Sequence, residues 1–556
     1  MEPKKSQNNI VFIKHSKRGG WTTTPFILGS VLTLTMTSGG LIGNLIVYLI
    51  TKYNVKSIDA TQLFNVVIGC MSLFPIVGAI LTDSYYGSFA VIAVFSFVSL
   101  LGITLMTLTA SLPSLRPPPC TNKLLPCESP SKLQYGVLYA ILGLACIGIG
   151  GTRFTIATMG ADQFEEDSNS IAIYFSWHFF MFYVATVIST TVIIYVQDNV
   201  SWTVGFGICV VCNIVGVILF LSGRKFYRKS RTKGSPFTGI ARVITAAVRK
   251  RKVSSANHQY NYDINDKSTT IPSNSFRFLN HGALKIESDD LKTRTWSLST
   301  VQEVEDLKTL IKIVPLWSSS VMLSASIGMF SNFVILQALT MDRHLGGSTF
   351  QIPSSSFLSL DVLATCITIC LLDRLIFPMW QKLTGWSLAP LQIIGLGHVL
   401  NVAALVASAI VEIQRLHAAR DHHLTGLSMA TTAIVPFSAL WLLFPLTILG
   451  ISQAFLFPGQ ISLYYQEFPT SLRSTSSAMI SVIVAIGFYL STAITGLIRK
   501  NTRWLQDDIN DGRLDIVYWV LAAIGVVNFG YFLVCAKMFK HKLDKQDQTL
   551  DNVSSS

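Results

Sequence analysis

The chain has 556 residues, of which 50% are hydrophobic and 13% charged, with a formal net charge of +13. A water-soluble protein carries about 25% charged residues, so this chain lacks the polar surface to dissolve as a globule and is expected in a lipid bilayer. The basic excess does not mark a nucleic-acid binder, because it is gathered into three groups. Lys4, Lys5, Lys14, Lys17 and Arg18 precede the first apolar run, Arg224 to Lys233 and Arg249 to Lys252 lie mid-chain, and Lys537, Lys540 and Lys542 follow the last run.

A membrane-crossing helix needs roughly 20 apolar residues. Runs of that kind lie near 25–50, 60–82, 89–111, 133–157, 174–196 and 202–222. A polar stretch follows at 223–306, then further runs near 309–339, 353–376, 388–412, 431–457, 475–498 and 515–536. The chain therefore reads as all-α: a six-helix bundle over 1–222, a central loop over 223–306, a second six-helix bundle over 307–540 and a tail over 541–556. Basic segments beside spans stay in the cytoplasm. An even number of spans puts all three basic groups on that side, with both termini. The basic N-terminus runs into a full span that serves as signal and first helix together.

The central loop, rich in Ser, Asn, Thr and basic residues, reads as mobile and offers phosphoacceptors to a regulatory kinase. Its end, Ser299 to Lys308, has the acidic pattern of a short lateral helix. The second span closes on Asp83 with Gly87 just beyond; its counterpart six spans later closes on Asp373 and Arg374, then Lys382 and Gly385. These four residues (Asp83, Gly87, Asp373, Arg374) are the candidate gating set. Two related halves around a central cavity are the alternating-access design.

Several residues resist a purely apolar reading. Arg153 follows Gly148, Gly150 and Gly151 in the fourth span. A guanidinium in hydrocarbon costs at least about 2.5–3.5 kcal/mol, so Arg153 either lines a wet cavity, ties two helices together or snorkels to the nearby helix end. Asp361 in the eighth span either titrates, pairs with a cation or sits in an outer vestibule. His178, among aromatic residues, is a packing residue or, more sharply, a proton relay. Both Asp361 and His178 are thus candidates for proton linkage.

Trp317, Asn332, Gln337 and Phe488 supply polar and aromatic surface suited to a solute pocket. Arg415, His417, Arg420, Asp421, His422 and His423 read as a solvated loop, with metal binding as the sharper alternative. Cys120 and Cys127, in a Pro-rich loop, are a candidate disulfide. Cys209 and Cys212, inside a span, read as small hydrophobic residues. Asn199-Val200-Ser201 fits the glycosylation pattern but lies close to the membrane. No HExxH, phosphate-cradling loop or metal-ligand spacing is evident, so no cofactor, metal or enzymatic activity is expected.

In order along the chain, Gly19-Gly20-Trp21, Gly151-Thr152-Arg153, Gly160 to Phe164, Leu336 to His344, Phe350 to Pro353, Gly459-Gln460, Gln466 to Pro469 and Arg473-Ser474 resemble the proton-coupled oligopeptide transporter superfamily and its plant nitrate and peptide transporter branch. The resemblance covers essentially the whole chain. It implies the major facilitator superfamily fold, with twelve spans in two six-helix halves. It also shows departures. Where the family carries a first-helix ExxER motif tied to proton coupling, this chain has uncharged Leu32 to Gly40. Arg153 matches the family's fourth-helix lysine, Gln453 the tenth-helix glutamate, and Ser88 a basic residue of the second-to-third loop.

The missing ExxER, with Asn44 to Leu49 and the Tyr-Gln-Glu-Phe-Pro segment, resembles the nitrate excretion subgroup. That resemblance implies movement of a small anion across the plasma membrane by an exporter or weakly proton-linked facilitator. Arg153 and Gln453 are accordingly expected to contact the solute, and Asn332, Gln337, Trp317 and Phe488 to complete its pocket. Gln453 cannot balance a buried Arg153, so an anion would complete the charge. Arginine stays protonated and presents a planar fork suited to nitrate. With both titratable motifs gone, flux should respond little to acid. Other readings stay open: a carrier of larger metabolites such as glycosides or alkaloid conjugates, and a transporter-like sensor without net flux.

Overall fold

The computed structural model describes residues 19–82, 86–119, 128–153, 155–164, 168–228, 236–251, 259–262, 272–273, 275–285, 296, 298–345, 350–386, 388–424, 434–467 and 476–554. Twelve helices among them are long and apolar enough to cross a membrane. In lipid every backbone N–H and C=O must be satisfied within the segment, which a helix does and an isolated strand does not. Hydroxyls follow the same rule. Thr104, for example, donates to the carbonyl of Leu100 at 2.7 Å.

The first half holds α1 (Thr24–Ile42), α2 (Ser57–Leu81), α3 (Ser88–Ser111), α4 (Lys132–Phe164), α5 (Ile173–Asn199) and α6 (Trp202–Lys225). The second holds α7 (Val301–Thr340), α8 (Ser354–Thr384), α9 (Pro390–Asp421), α10 (Ala439–Tyr464), α11 (Met479–Asn501) and α12 (Leu514–Phe539). Within the first half α1 packs on α5 and α6, and α4 on α2 and α3; within the second, α9 packs on α10 and α12, and α7 on α11 and α12. The halves meet along α2 with α11 and α5 with α8.

Three segments differ from the sequence reading. The run read as one span at 25–50 breaks at Gly43 and Asn44, and a separate helix continues over Leu45–Tyr53. Asn44 there donates to Asp198 at 2.8 Å, a polar tie that costs less at a helix break than inside a span. The central loop is not wholly irregular. A helix over Pro236–Arg249 buries Val243 and Ala247 against Leu279, Ala283, Val301, Val304 and Leu307. Arg242 pairs with Glu303, and Lys250 donates to the Leu284 carbonyl at 2.6 Å. Finally, Ser299 to Lys308 forms no separate lateral helix. Thr300 and Glu303 make a reciprocal cap, at 3.2 and 3.1 Å, that starts α7 itself.

Both termini and the central segment lie at one face, and side-chain contacts between the halves lie toward the opposite, far face. Asn65 in α2 donates to Ser491 in α11 at 3.0 Å and accepts from Asn332 in α7 at 2.7 Å. Ser356 in α8 donates to the Thr190 carbonyl in α5 at 2.7 Å, and Tyr195 stacks on Phe350. At the rim Arg499 pairs with Asp59 across the halves and with Asp507 at 2.6 Å, while Lys56 reaches Asp507 at 2.7 Å.

These ions are partly exposed, so the network contributes about 1–2 kcal/mol, a factor of about 5–30 in a two-state population. Arg499→Ala is expected to raise, by that factor, the rate at which a thiol reagent applied at the far face modifies a cysteine introduced at Gln62. An unchanged rate would remove the rim ions from the gate.

Candidate functional site

The fourth span runs further than its hydropathy suggests, to Phe164. Arg153 therefore lies well short of the helix end, and a simple snorkelling role fits it poorly. The preceding glycines explain how a charged turn sits so deep. A Cβ on Gly148 would come within 2.3 Å of the Ser99 backbone nitrogen, and one on Gly150 within 2.7 Å of the Met71 carbonyl oxygen. Helix α4 thus presses its glycine face on α2 and α3.

Arg153 itself remains exposed. Its guanidinium stands over the Phe182 ring at 5.2 Å from the centroid. Among the described residues it forms no ion pair.

On the second half, Gln453 in α10 donates its amide to both carboxylate oxygens of Asp361 in α8, at 3.1 and 3.0 Å. Gly450, one helical turn before Gln453, makes this contact feasible. A Cβ there would meet the Asp361 carbonyl oxygen at 2.5 Å, and Thr365 donates to the Gly450 carbonyl at 3.0 Å. Asp361 and Gln453 are both half-buried. The alternative of an outer vestibule for Asp361 therefore gives way to a specific contact between spans.

Tyr183 of α5 lies within electrostatic reach of Arg153, Asp361 and Cys366. A polar path thus crosses the cavity from Arg153 through Tyr183 to Asp361 and Gln453. Tyr183 had no charge or motif to single it out in the sequence. Its spacing from Phe182 and from His178, on a helix facing both halves, was the only available cue.

The remaining candidates fall elsewhere. Gln337 is fully buried in the second half, where it donates to Glu412 at 2.6 Å and accepts from Tyr518 at 3.0 Å. That network commits its amide to structure rather than to a solute. Asn332 is likewise buried, in the contact to Asn65. Trp317 meets Tyr464 edge to face at 6.2 Å, and the Phe488 ring lies beside Gly328 of α7.

His178 is buried beside Tyr174 and Phe179 at 6.0 and 5.8 Å between ring centres, the surroundings of a packing residue. Gly87 takes a φ of 73° just before α3, where glycine avoids the left-handed penalty. Asp373 and Arg374 are exposed in a π-helical turn of α8. Asp83, Cys120 and Cys127 lie outside the described residues.

Arg415, read as part of a solvated loop, is instead entirely buried inside α9, which continues to Asp421. No group of His, Cys, Asp or Glu among the described residues has metal-holding geometry. An apolar hollow of about 520 Å³, lined by Tyr195, Phe350, Phe357, Leu360, Leu440 and others, lies toward the far end, and neither Arg153, Asp361 nor Gln453 lines it.

Two six-helix halves that meet along two helix pairs, with a lone guanidinium facing a carboxylate-bearing wall, define a membrane transporter with the major facilitator architecture. The POT family model matches residues 89–510. The chain is 47% identical over 533 residues to the NRT1/PTR FAMILY 2.7 protein of Arabidopsis thaliana, covering 95% of this chain and 94% of that protein. It is 45% identical to the FAMILY 2.3 protein of the same plant, covering 96% of each.

Among solved structures, the auto-inhibited POT family peptide transporter superposes with a TM-score of 0.70 at 16% identity, over 93% of this chain and 97% of that one. The POT family transporter PepTSo gives 0.69 at 15% identity, over 94% and 99%. The chain belongs to the POT family, alongside the plant NRT1/PTR proteins.

Proposed function

We propose that this chain moves a small anion, nitrate foremost, across the plasma membrane by alternating access, as an exporter or weakly proton-linked facilitator. The observation that carries the reading is Arg153: a permanent cation, exposed between the halves, with an aromatic ring for a neighbour and no ion-pair partner among the described residues. A guanidinium offers parallel N–H donors in one plane, which match the planar oxygens of nitrate. The names of the plant relatives support a nitrate or peptide transporter class without choosing the solute.

The basic groups at both termini and in the central segment place that face in the cytoplasm. The face closed by Asp59, Arg499 and Asp507 is then extracellular, and Arg153 is reached from inside, as export requires.

Labelled nitrate efflux from oocytes expressing the chain tests this directly. The expected result is efflux well above uninjected controls. Flux of a glycoside or alkaloid conjugate with none of nitrate would make the chain a carrier of larger metabolites. Nitrate binding without flux of any tested solute would make it a sensor.

A further inference from the structure

We propose that Asp361 is the proton-binding residue of this transporter and that a proton on Asp361 and an anion at Arg153 favour one another. The proposal rests on the anion reading above and says where its proton linkage resides.

The groups around Asp361 leave its charge free to change. From α10 it meets the neutral amide of Gln453, at 3.1 and 3.0 Å. From α5 the titratable neighbour is Tyr183, and on its own helix Cys366 lies nearby. Asp361 forms no ion pair among the described residues, so no cation clamps it in the ionised form. It is half-buried rather than sealed, which leaves a path for protons through the cavity.

Arg153 belongs to the first half and Asp361 to the second, and Tyr183 lies within electrostatic reach of both. An ionised Asp361 adds a negative charge to the cavity that an anion must enter; a protonated one does not. The Tyr183 hydroxyl has one proton to donate, to the carboxylate or to the anion. Both effects make anion and proton bind cooperatively, and linkage makes that cooperation reciprocal.

The charge balance is simple. One proton adds to the carboxylate to give a carboxylic acid, one anion joins Arg153, and both are released at the other face, so no net charge moves. Whereas the sequence alone predicts little response to acid, Asp361 predicts a marked one.

The test uses the full-length purified transporter with nitrate as probe, titrated calorimetrically from mildly acidic to mildly alkaline pH. For the wild type, nitrate affinity is expected to weaken with rising pH by as much as about tenfold per unit. Asp361→Asn, which keeps shape and loses the titration, is expected to hold the acidic-limit affinity at every pH.

Wild-type nitrate binding that is flat with pH, or an unchanged pH response in Asp361→Asn, overturns the proposal while leaving the anion reading intact. Infrared pH-difference spectra supply a solute-free readout. A carboxylic-acid band present in the wild type and lost in Asp361→Asn supports the proton site, and no such band overturns it. The band without nitrate binding at any pH overturns the anion reading instead.

Discussion

Arg153→Ala is expected to abolish nitrate transport while leaving the protein folded and correctly targeted. Each hydrogen bond from a charged donor contributes about 1.5–3 kcal/mol, so losing a two-pronged contact should weaken anion binding by about a hundredfold or more. Folding should survive because Arg153 holds no ion pair among the described residues and its neighbour Phe182 is bound through a cation–π contact of about 0.5–2 kcal/mol. Arg153→Lys keeps the charge but replaces the fork by a point donor, and a loss of about tenfold is expected.

The graded order wild type, lysine, alanine is what distinguishes a solute contact from a tie between helices. A tie would lower surface expression and thermal stability together with flux. Wild-type efflux from Arg153→Ala at equal surface expression would show that the anion binds elsewhere. The measurement is labelled nitrate efflux normalised to surface protein.

The fold was legible because lipid imposes a single grammar: apolar runs of span length, with basic groups on one side. Arg153 was legible because a charge in such a run has few tolerable explanations. What the sequence concealed is which face of each helix meets which neighbour. A helix that is apolar all round carries no amphipathic stripe to orient it, and α8 and α10 are of this kind. Their register depends on Gly450 and Thr365, so the contact of Asp361 with Gln453 emerges only in three dimensions.

Asn332 and Gln337 show the same limit from the other side. Five residues at about 100° each put them well apart around α7, so they could not both face one pocket; one reaches Asn65 and the other Glu412. Charge at a helix end misled in a further way. Arg415 lay among histidines and an aspartate that suggested a loop. The signal against that reading was Glu412, three residues earlier, the spacing at which two side chains on a helix meet.

That pair should give the largest effect on stability. Glu412 and Arg415 are both fully buried, joined at 2.6 Å and again at 2.7 Å through the Arg415 Nε. Arg415 also donates to Thr340 at 3.1 Å and Asn510 at 2.5 Å, and Glu412 accepts from Gln337 at 2.6 Å. The network thereby fastens α7, α9 and the segment before α12, away from Arg153. Glu412→Ala leaves a guanidinium buried without its counter-ion, a loss of about 3–5 kcal/mol. The expected outcome is a melting temperature lower by roughly 5–15 °C in scanning fluorimetry of the purified protein.

Replacing both members, as in Glu412→Leu with Arg415→Met, removes the unpaired charge along with the pair and should recover much of that loss. Nitrate flux per folded molecule should stay near the wild-type value in the double variant, because neither side chain belongs to the path from Arg153 to Asp361. A double variant as unstable as Glu412→Ala would mean that the hydrogen bonds to Gln337, Thr340 and Asn510, rather than the buried charge balance, hold this end of the second half together.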